Sequence, residues 1–229
     1  MTLIIDRCIN ICKWPVAFLA LFCLVPAIRC AARIIISIYE HANQLGPFLL
    51  GLFGYLIFWQ LIFRKRTTGS FFSTLEHECT HAIVALLTLH GVTGMRVTWN
   101  KGGHVRYTGG EGNWLITIAP YFIPTISIIA VAAAAFVPPQ YAYQAQVLIG
   151  ASVGFHLGSS YLETHDTQSD LIKVGYSFCC CFLPTANLLV YSFLLAFVWR
   201  QGEGVSTTLD QFLALTYKQA RWIEALIGI

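Results

Sequence analysis

The stretch TLEHECTHAIVALL, residues 74–87, sets His77 and His81 four positions apart with Glu78 beside the first. On a helix residues i and i+4 share a face, so the two imidazoles can hold one metal ion, and zinc accepts histidine nitrogen. Glu78 can reach a water on that ion. Zinc lowers the pKa of such a water to about 7, and a neighbouring glutamate can take its proton during attack on a peptide carbonyl. Cys79 lies two positions from each histidine and so points to the other side of the helix, which removes it as a ligand despite zinc's affinity for sulfur. A catalytic zinc usually has three protein ligands and keeps a fourth position for water. The candidates for the third cluster in GFHLGSSYLETHDTQSDL: His156, Glu163, His165, Asp166 and Asp170. An acid from this distant segment would close the site between helices.

The elements that must position these groups are strongly apolar. The chain of 229 residues is 56% hydrophobic and 11% charged, which is the composition of a membrane protein. Residues 47–63, 113–161 and 174–199 contain no Asp, Glu, Lys or Arg; about 20 mainly apolar residues are enough to cross the hydrocarbon core as a helix. The expected fold is an all-α polytopic membrane protein with five or six transmembrane helices and a small membrane-associated β-hairpin. The net charge of +3 comes from short clusters, chiefly Arg64, Lys65 and Arg66. Those three read as a cytoplasmic anchor, and no broad basic face of the kind that binds nucleic acid is present. The eight cysteines form no CxxC pair and read as small buried hydrophobes in a reduced protein.

Along the chain, residues 1–66 read as N-terminal membrane helices, 67–200 as a membrane core holding the motif, and 201–229 as a C-terminal amphipathic helix. Pro15 to Ile28, behind Arg7 and Lys13, reads as an uncleaved first membrane helix, with a secretory leader as its rival. Arg29 and Arg33 then suggest an interfacial helix. Residues 46–63 form the next span, and the motif helix follows. MRVTWNKGGHVRYTGG alternates Val97 and Trp99 on one face, turns at 100–103 and resumes with Val105 and Tyr107, a hairpin signature placed at about 95–108. The span from Trp114 to Val137 carries Pro120 and Pro124, which interrupt a membrane helix or kink it. Two further spans follow, from Tyr141 to Tyr161 and from Val174 to Trp199. The C-terminal helix gathers Leu209, Phe212, Leu213, Ala220 and Ile223 on one stripe and reads as interfacial or partner-binding. His90 and His104 read as packed or solvated side chains, and Asn113 and Glu111 as helix-capping residues.

His77-Glu78-x-x-His81 in a membrane helix, followed by a Gly-rich hairpin, a proline-bearing span and a late Asp heading another helix, resembles the site-2 protease family of intramembrane zinc metalloproteases. The resemblance covers roughly residues 74–191. It implies that the third ligand is an Asp at the broken start of a later helix, often within Leu-Asp-Gly. That tripeptide is absent here; Ser169-Asp170-Leu171 is the nearest counterpart, which favours Asp170 over Asp166, Glu163, His156 and His165. The resemblance also implies zinc held by His77, His81 and Asp170, Glu78 as the catalytic base, and a hairpin that offers an edge strand to an unwound substrate. The expected substrate is a membrane protein or membrane-anchored peptide cut in or near its transmembrane segment, and the expected location is the cell membrane. Two other readings remain: a membrane zinc protease with Glu163 as ligand, acting on loop or prenylated substrates, and a non-catalytic zinc-binding scaffold. If the segments from Trp114 and Tyr141 both cross fully, Asp170 emerges on the face opposite the start of the motif helix. A kinked proline span, a polar loop dipping into the membrane, or His156 as ligand would each resolve this, and the dipping loop is the preferred expectation.

Overall fold

The computed structural model describes residues 1–63, 67–99, 102–109, 112–164 and 168–228. Among the described residues, nine α-helices and one hairpin occur in the order α1 (Thr2–Ile11), α2 (Lys13–Glu40), α3 (Ala42–Phe58), α4 (Thr67–Leu87), β1 (Val92–Val97), β2 (Gly103–Tyr107), α5 (Trp114–Ile118), α6 (Thr125–Ala134), α7 (Ala142–Glu163), α8 (Ser169–Val174) and α9 (Tyr176–Ile227). Among the described residues, α2, α3 with its extension to Ile62, and α9 are long and apolar enough to cross a membrane. The bent pair α5–α6 is a fourth candidate if it counts as one span. The residues α2 and α3 turn outward, among them Phe18, Leu19, Ile35, Leu50, Phe53 and Ile57, are large, apolar and exposed. Such a surface suits lipid, and together the long apolar helices suggest an integral membrane protein.

Two pairs of the expected elements take a different form. The entry helix and the interfacial helix are one, because α2 runs unbroken from Lys13 to Glu40 with Pro26 inside it. Nothing between Ile28 and Glu40 breaks a helix, and Arg29 and Arg33 simply face outward from it. The last span and the C-terminal helix form one assigned element, but Arg200 and Gln201 leave helical geometry, with Gln201 at φ 50°. The chain there turns back on itself as a helical hairpin. Thr185 Oγ1 donates to the Ala20 carbonyl at 2.8 Å from the first half, and Gln219 Nε2 donates to the Phe22 carbonyl at 2.7 Å from the second. Both halves of α9 therefore lie against α2, and Thr208 and Phe212 turn inward where Leu209 and Leu213 stay exposed.

The tightest packing joins α3 to α7. A Cβ built on Gly51 would stand 2.0 Å from the Val147 carbonyl oxygen, and one on Gly150 2.0 Å from that of Phe48. Only glycine lets two helix backbones meet this closely, the small-residue mode of association found in lipid. Leu45 and Phe48 of α3, Ile149 and Val153 of α7, and Leu194 and Val198 of α9 fill the core beside this contact.

The proline span breaks where its prolines stand. α5 passes through a 3-10 turn at Ala119–Tyr121, and α6 starts after Pro124, the two parts meeting at 73°. The kink thus lies in the span itself; much of the polar loop, at 165–167, falls outside the described residues. The hairpin is antiparallel, pairing Met95 with Val105 and Val97 with Gly103, with an irregularity between Val92 and Gly94. β1 starts at Val92, a little before the expected strand, and Trp99 lies beyond its end, stacked on Phe71 at 4.3 Å. All eight cysteines are free.

Candidate metal centre

α4 carries the motif across the middle of the structure. Its Thr80 hydroxyl meets that of Thr125, at the start of α6, at 2.7 Å. Its Glu76 meets His156 of α7, whose Nδ1 donates to the Glu76 carboxylate at 3.0 Å. These contacts anchor the sides of α4 that face away from the site, so the remaining face, with His77, Glu78 and His81, opens into a cavity of about 600 Å3. All three side chains are buried or nearly so, with His77 at 7% and Glu78 at 6% exposure.

Asp170, in the first turn of α8, completes the group. Its Oδ2 lies 3.1 Å from His77 Nε2 and 3.2 Å from His81 Nε2. One ligand atom from each of the three residues lies within 4.8 Å of the others, the only such group of three or more potential ligands among the described residues. α8 is held by apolar contacts of Leu171 and Val174 with Trp114 and Ile118 of α5. Of the other third-ligand candidates, Glu163 lines the same cavity and accepts from the Ser73 and Thr74 hydroxyls at 3.3 and 3.4 Å. His156 is spent on Glu76. His165 and Asp166 lie outside the described residues.

The donor set fits a divalent cation. His81 Nδ1 lies 2.7 Å from the Ile116 carbonyl, so it carries the proton, and a neutral His81 presents a bare lone pair at Nε2. That lone pair faces the Asp170 carboxylate. Two acceptors at 3.2 Å repel, and either a second proton on the ring or a cation between them is needed to make the arrangement attractive. Imidazole nitrogens and a carboxylate oxygen, one of them oriented through a backbone carbonyl, form the usual surroundings of zinc. Burial pushes the Asp170 carboxyl up, and hydrogen bonds and charge from the two rings, when these carry their second proton, outweigh it and hold the acid well below the usual carboxylate range.

The hairpin closes one side of the cavity. A Cβ on Gly103 would lie 2.6 Å from Glu78 Cγ and 2.9 Å from its Oε1, so the glycine allows the strand to lie directly on the glutamate. His104 and Tyr107 also line the cavity, and burial pushes the Tyr107 phenol up, leaving it a neutral hydrogen-bonding group. His104 is exposed and His90 is buried against Asp6, so neither joins the metal group. Asn113 caps α5, its side chain accepting from the Ile116 amide at 3.1 Å. Glu111 lies outside the described residues.

Sequence reasoning misses the Glu76–His156 pair and the Ile116 carbonyl that orients His81. The first left a signal that was open to reading, a second acid one residue before the motif and a histidine in an apolar span. The second left none, because any residue can supply a carbonyl.

Residues 55–162 match the family model described as Peptidase M50B-like. The matched stretch contains His77, Glu78, His81 and the hairpin and ends before Glu163 and Asp170. No curated protein and no solved structure matches the chain.

Proposed function

We propose that the protein is an intramembrane zinc metalloprotease of the site-2 protease family, a reading that the match of residues 55–162 to the M50B-like peptidases supports. Its substrate would be a membrane protein or membrane-anchored peptide cut in or near a transmembrane segment. The observation that carries the reading is the convergence of His77, His81 and Asp170 beside Glu78 in one buried cavity.

His77, His81 and Asp170 would hold the ion. Zinc bound there supplies a Lewis acid that polarises the scissile carbonyl and acidifies the attacking water. Glu78 takes the proton from that water and delivers it to the leaving amine, the ordinary division of labour for a glutamate at this position. Ile116 fixes the His81 tautomer, so that Nε2 is the nitrogen free to bind. The hairpin, with β2 along the cavity, would pair its backbone with an extended substrate segment. A peptide bond inside an intact helix is shielded and already hydrogen-bonded, so such pairing makes the bond accessible.

The same reading bears on the number of spans. α4 and α7 have 21 and 22 residues, about 32 Å at 1.5 Å per residue, enough for a hydrocarbon core about 30 Å thick. They are less apolar because they carry the site and its supporting pairs, and polar groups facing a bundle interior are tolerated at that depth. Counting them with α2, α3, α5–α6 and α9 gives five or six spans in the cell membrane.

Glu78→Gln is the test. With a membrane-anchored substrate in reconstituted vesicles, cleavage should fall at least a thousandfold while one zinc per chain is retained. A variant that keeps full cleavage removes the hydrolytic reading and leaves a zinc-binding scaffold.

A further inference from the structure

α1 lies far from the motif in sequence and carries a buried acid. Asp6 is 7% exposed, and it binds two elements of the metal centre at once. Its Oδ2 accepts from His90 Nε2 at 3.1 Å, and its Oδ1 accepts from Asn113 Nδ2 at 2.7 Å. His90 lies three residues past α4 and is itself fully buried, its Nδ1 3.1 Å from the Thr88 hydroxyl. Asn113 is the cap of α5. From Asp6 the bonds run in sequence through the Asn113 side chain to the Ile116 amide, and the Ile116 carbonyl accepts from His81 Nδ1. Two more links hold the same segment in place. The Trp114 amide donates to Asn10 Oδ1 at 3.1 Å, and the Trp114 indole donates to the Ile9 carbonyl at 2.6 Å. Two residues past α1, at the start of α2, Lys13 Nζ donates to the Val174 carbonyl at 2.6 Å and lies 5.4 Å from the Phe178 ring centre. That bond caps the last turn of α8, one turn beyond Asp170.

We propose that the segment from Asp6 to Lys13 is a strut that sets the geometry of the metal ligands, with Asp6 and Lys13 as positioning residues. The inference rests on the reading of His77, His81 and Asp170 as zinc ligands. Asp6 fixes the register of α5 against α4, and hence the carbonyl that fixes the His81 ring. Lys13 fixes the height of α8, and hence the Asp170 carboxylate. None of the strut residues reaches the cavity wall near Glu78, so the effect on chemistry passes wholly through the ligands.

The chemistry of the links separates this from general stabilisation. Asp6→Leu removes both acceptors, whereas Asp6→Asn keeps an oxygen for Asn113. Asn113→Ser keeps a helix-capping hydroxyl but has no amide to donate to Asp6, so the cap survives and the link is cut. Losing groups that orient metal ligands typically costs 10–100-fold in metal affinity.

The experiment measures zinc affinity of the purified full-length chain by competition with a chromophoric chelator, alongside kcat and KM for a membrane-anchored substrate. Asp6→Leu and Asn113→Ser should bind zinc about 10–100-fold more weakly, with kcat reduced at saturating zinc and KM unchanged. Asp6→Asn should recover most of the affinity. Lys13→Met should also weaken zinc, and Lys13→Arg should restore it. If Asp6→Leu does not fold, Asn113→Ser carries the same prediction. Should wild type bind zinc and Asn113→Ser bind it equally well, the strut is refuted and the zinc site stands. Should wild type bind no zinc at all, the ligand assignment fails and the strut falls with it.

Discussion

Gly103→Ala tests how closely the hairpin and Glu78 must fit. The added methyl would stand 2.6 Å from Glu78 Cγ and 2.9 Å from both Glu78 Oε1 and the Arg96 carbonyl oxygen. Carbon atoms in contact prefer roughly 3.5–4.0 Å, so the glutamate or the strand must move by about 1 Å. The Arg96 oxygen belongs to the paired strand and blocks retreat in that direction, so much of the shift falls on Glu78. A displacement of about 1 Å at reacting groups can cost about 10²-fold in rate, equivalent to about 2.7 kcal/mol of transition-state stabilisation. The expected result is a kcat reduced by about two orders of magnitude, with zinc content unchanged because Glu78 is not a ligand. Gly94→Ala is the control. It lies in the paired strand with nothing within 4 Å of the added atom, and its kcat should stay within about twofold of wild type on the same reasoning. The assay is initial-rate cleavage of a membrane-anchored peptide in detergent or vesicles, with metal content measured on the same samples. Equal activity in Gly103→Ala and Gly94→Ala would show that the strand does not press on Glu78.

Three other outcomes follow from the geometry. Asp170→Asn should reduce zinc occupancy sharply and Glu163→Gln should leave it intact, as measured by metal analysis after identical dialysis; the reverse pattern would transfer the third ligand to Glu163. Gly150→Ala should destabilise the fold by about 1–3 kcal/mol through overpacking of α3 against α7, read as a lower unfolding temperature in detergent, while Gly46→Ala, with open space around it, should not. Thr80→Val should lose the buried hydroxyl pair with Thr125 and cost about 1 kcal/mol; an unchanged unfolding midpoint would show that this pair does not hold α4 to α6.

The placement of the motif residues is easier to read from the sequence than the packing. His77, Glu78 and His81 declare themselves because a helix turns spacing directly into a shared face. Residue types alone narrow the third ligand only to a cluster, since nothing local reveals which of several acids a tertiary fold will carry across 89 positions to His81; it is the family resemblance that favours Asp170. The break at Pro120 and Pro124 followed from lost backbone donors, and the 73° bend lies there. The preference for a dipping loop rests on irregular backbone being tolerated where it lines a cavity, and the middle of that loop, 165–167, lies outside the described residues. The continuity of α2 is hidden in the sequence because Arg29 and Arg33 suggest a separate interfacial helix, although an outward-facing arginine need not end a helix. The α3–α7 contact did leave a signal, in Gly150, Gly154 and Gly158 at a spacing of four on one face. Asp6 left none, because a lone acid in a short amphipathic segment looks like a solvated one until its partners, 84 and 107 positions away, are in place.

The central claim is a cation shared by two imidazoles and one carboxylate. X-ray absorption at the zinc edge of the purified chain tests it most directly. The spectrum should show a four-coordinate ion with nitrogen and oxygen neighbours at about 2.0–2.2 Å, two of them with the multiple-scattering pattern of histidine, and no sulfur. A sulfur shell at about 2.3 Å, which would bring in Cys79, or an ion with no histidine scattering would contradict the account.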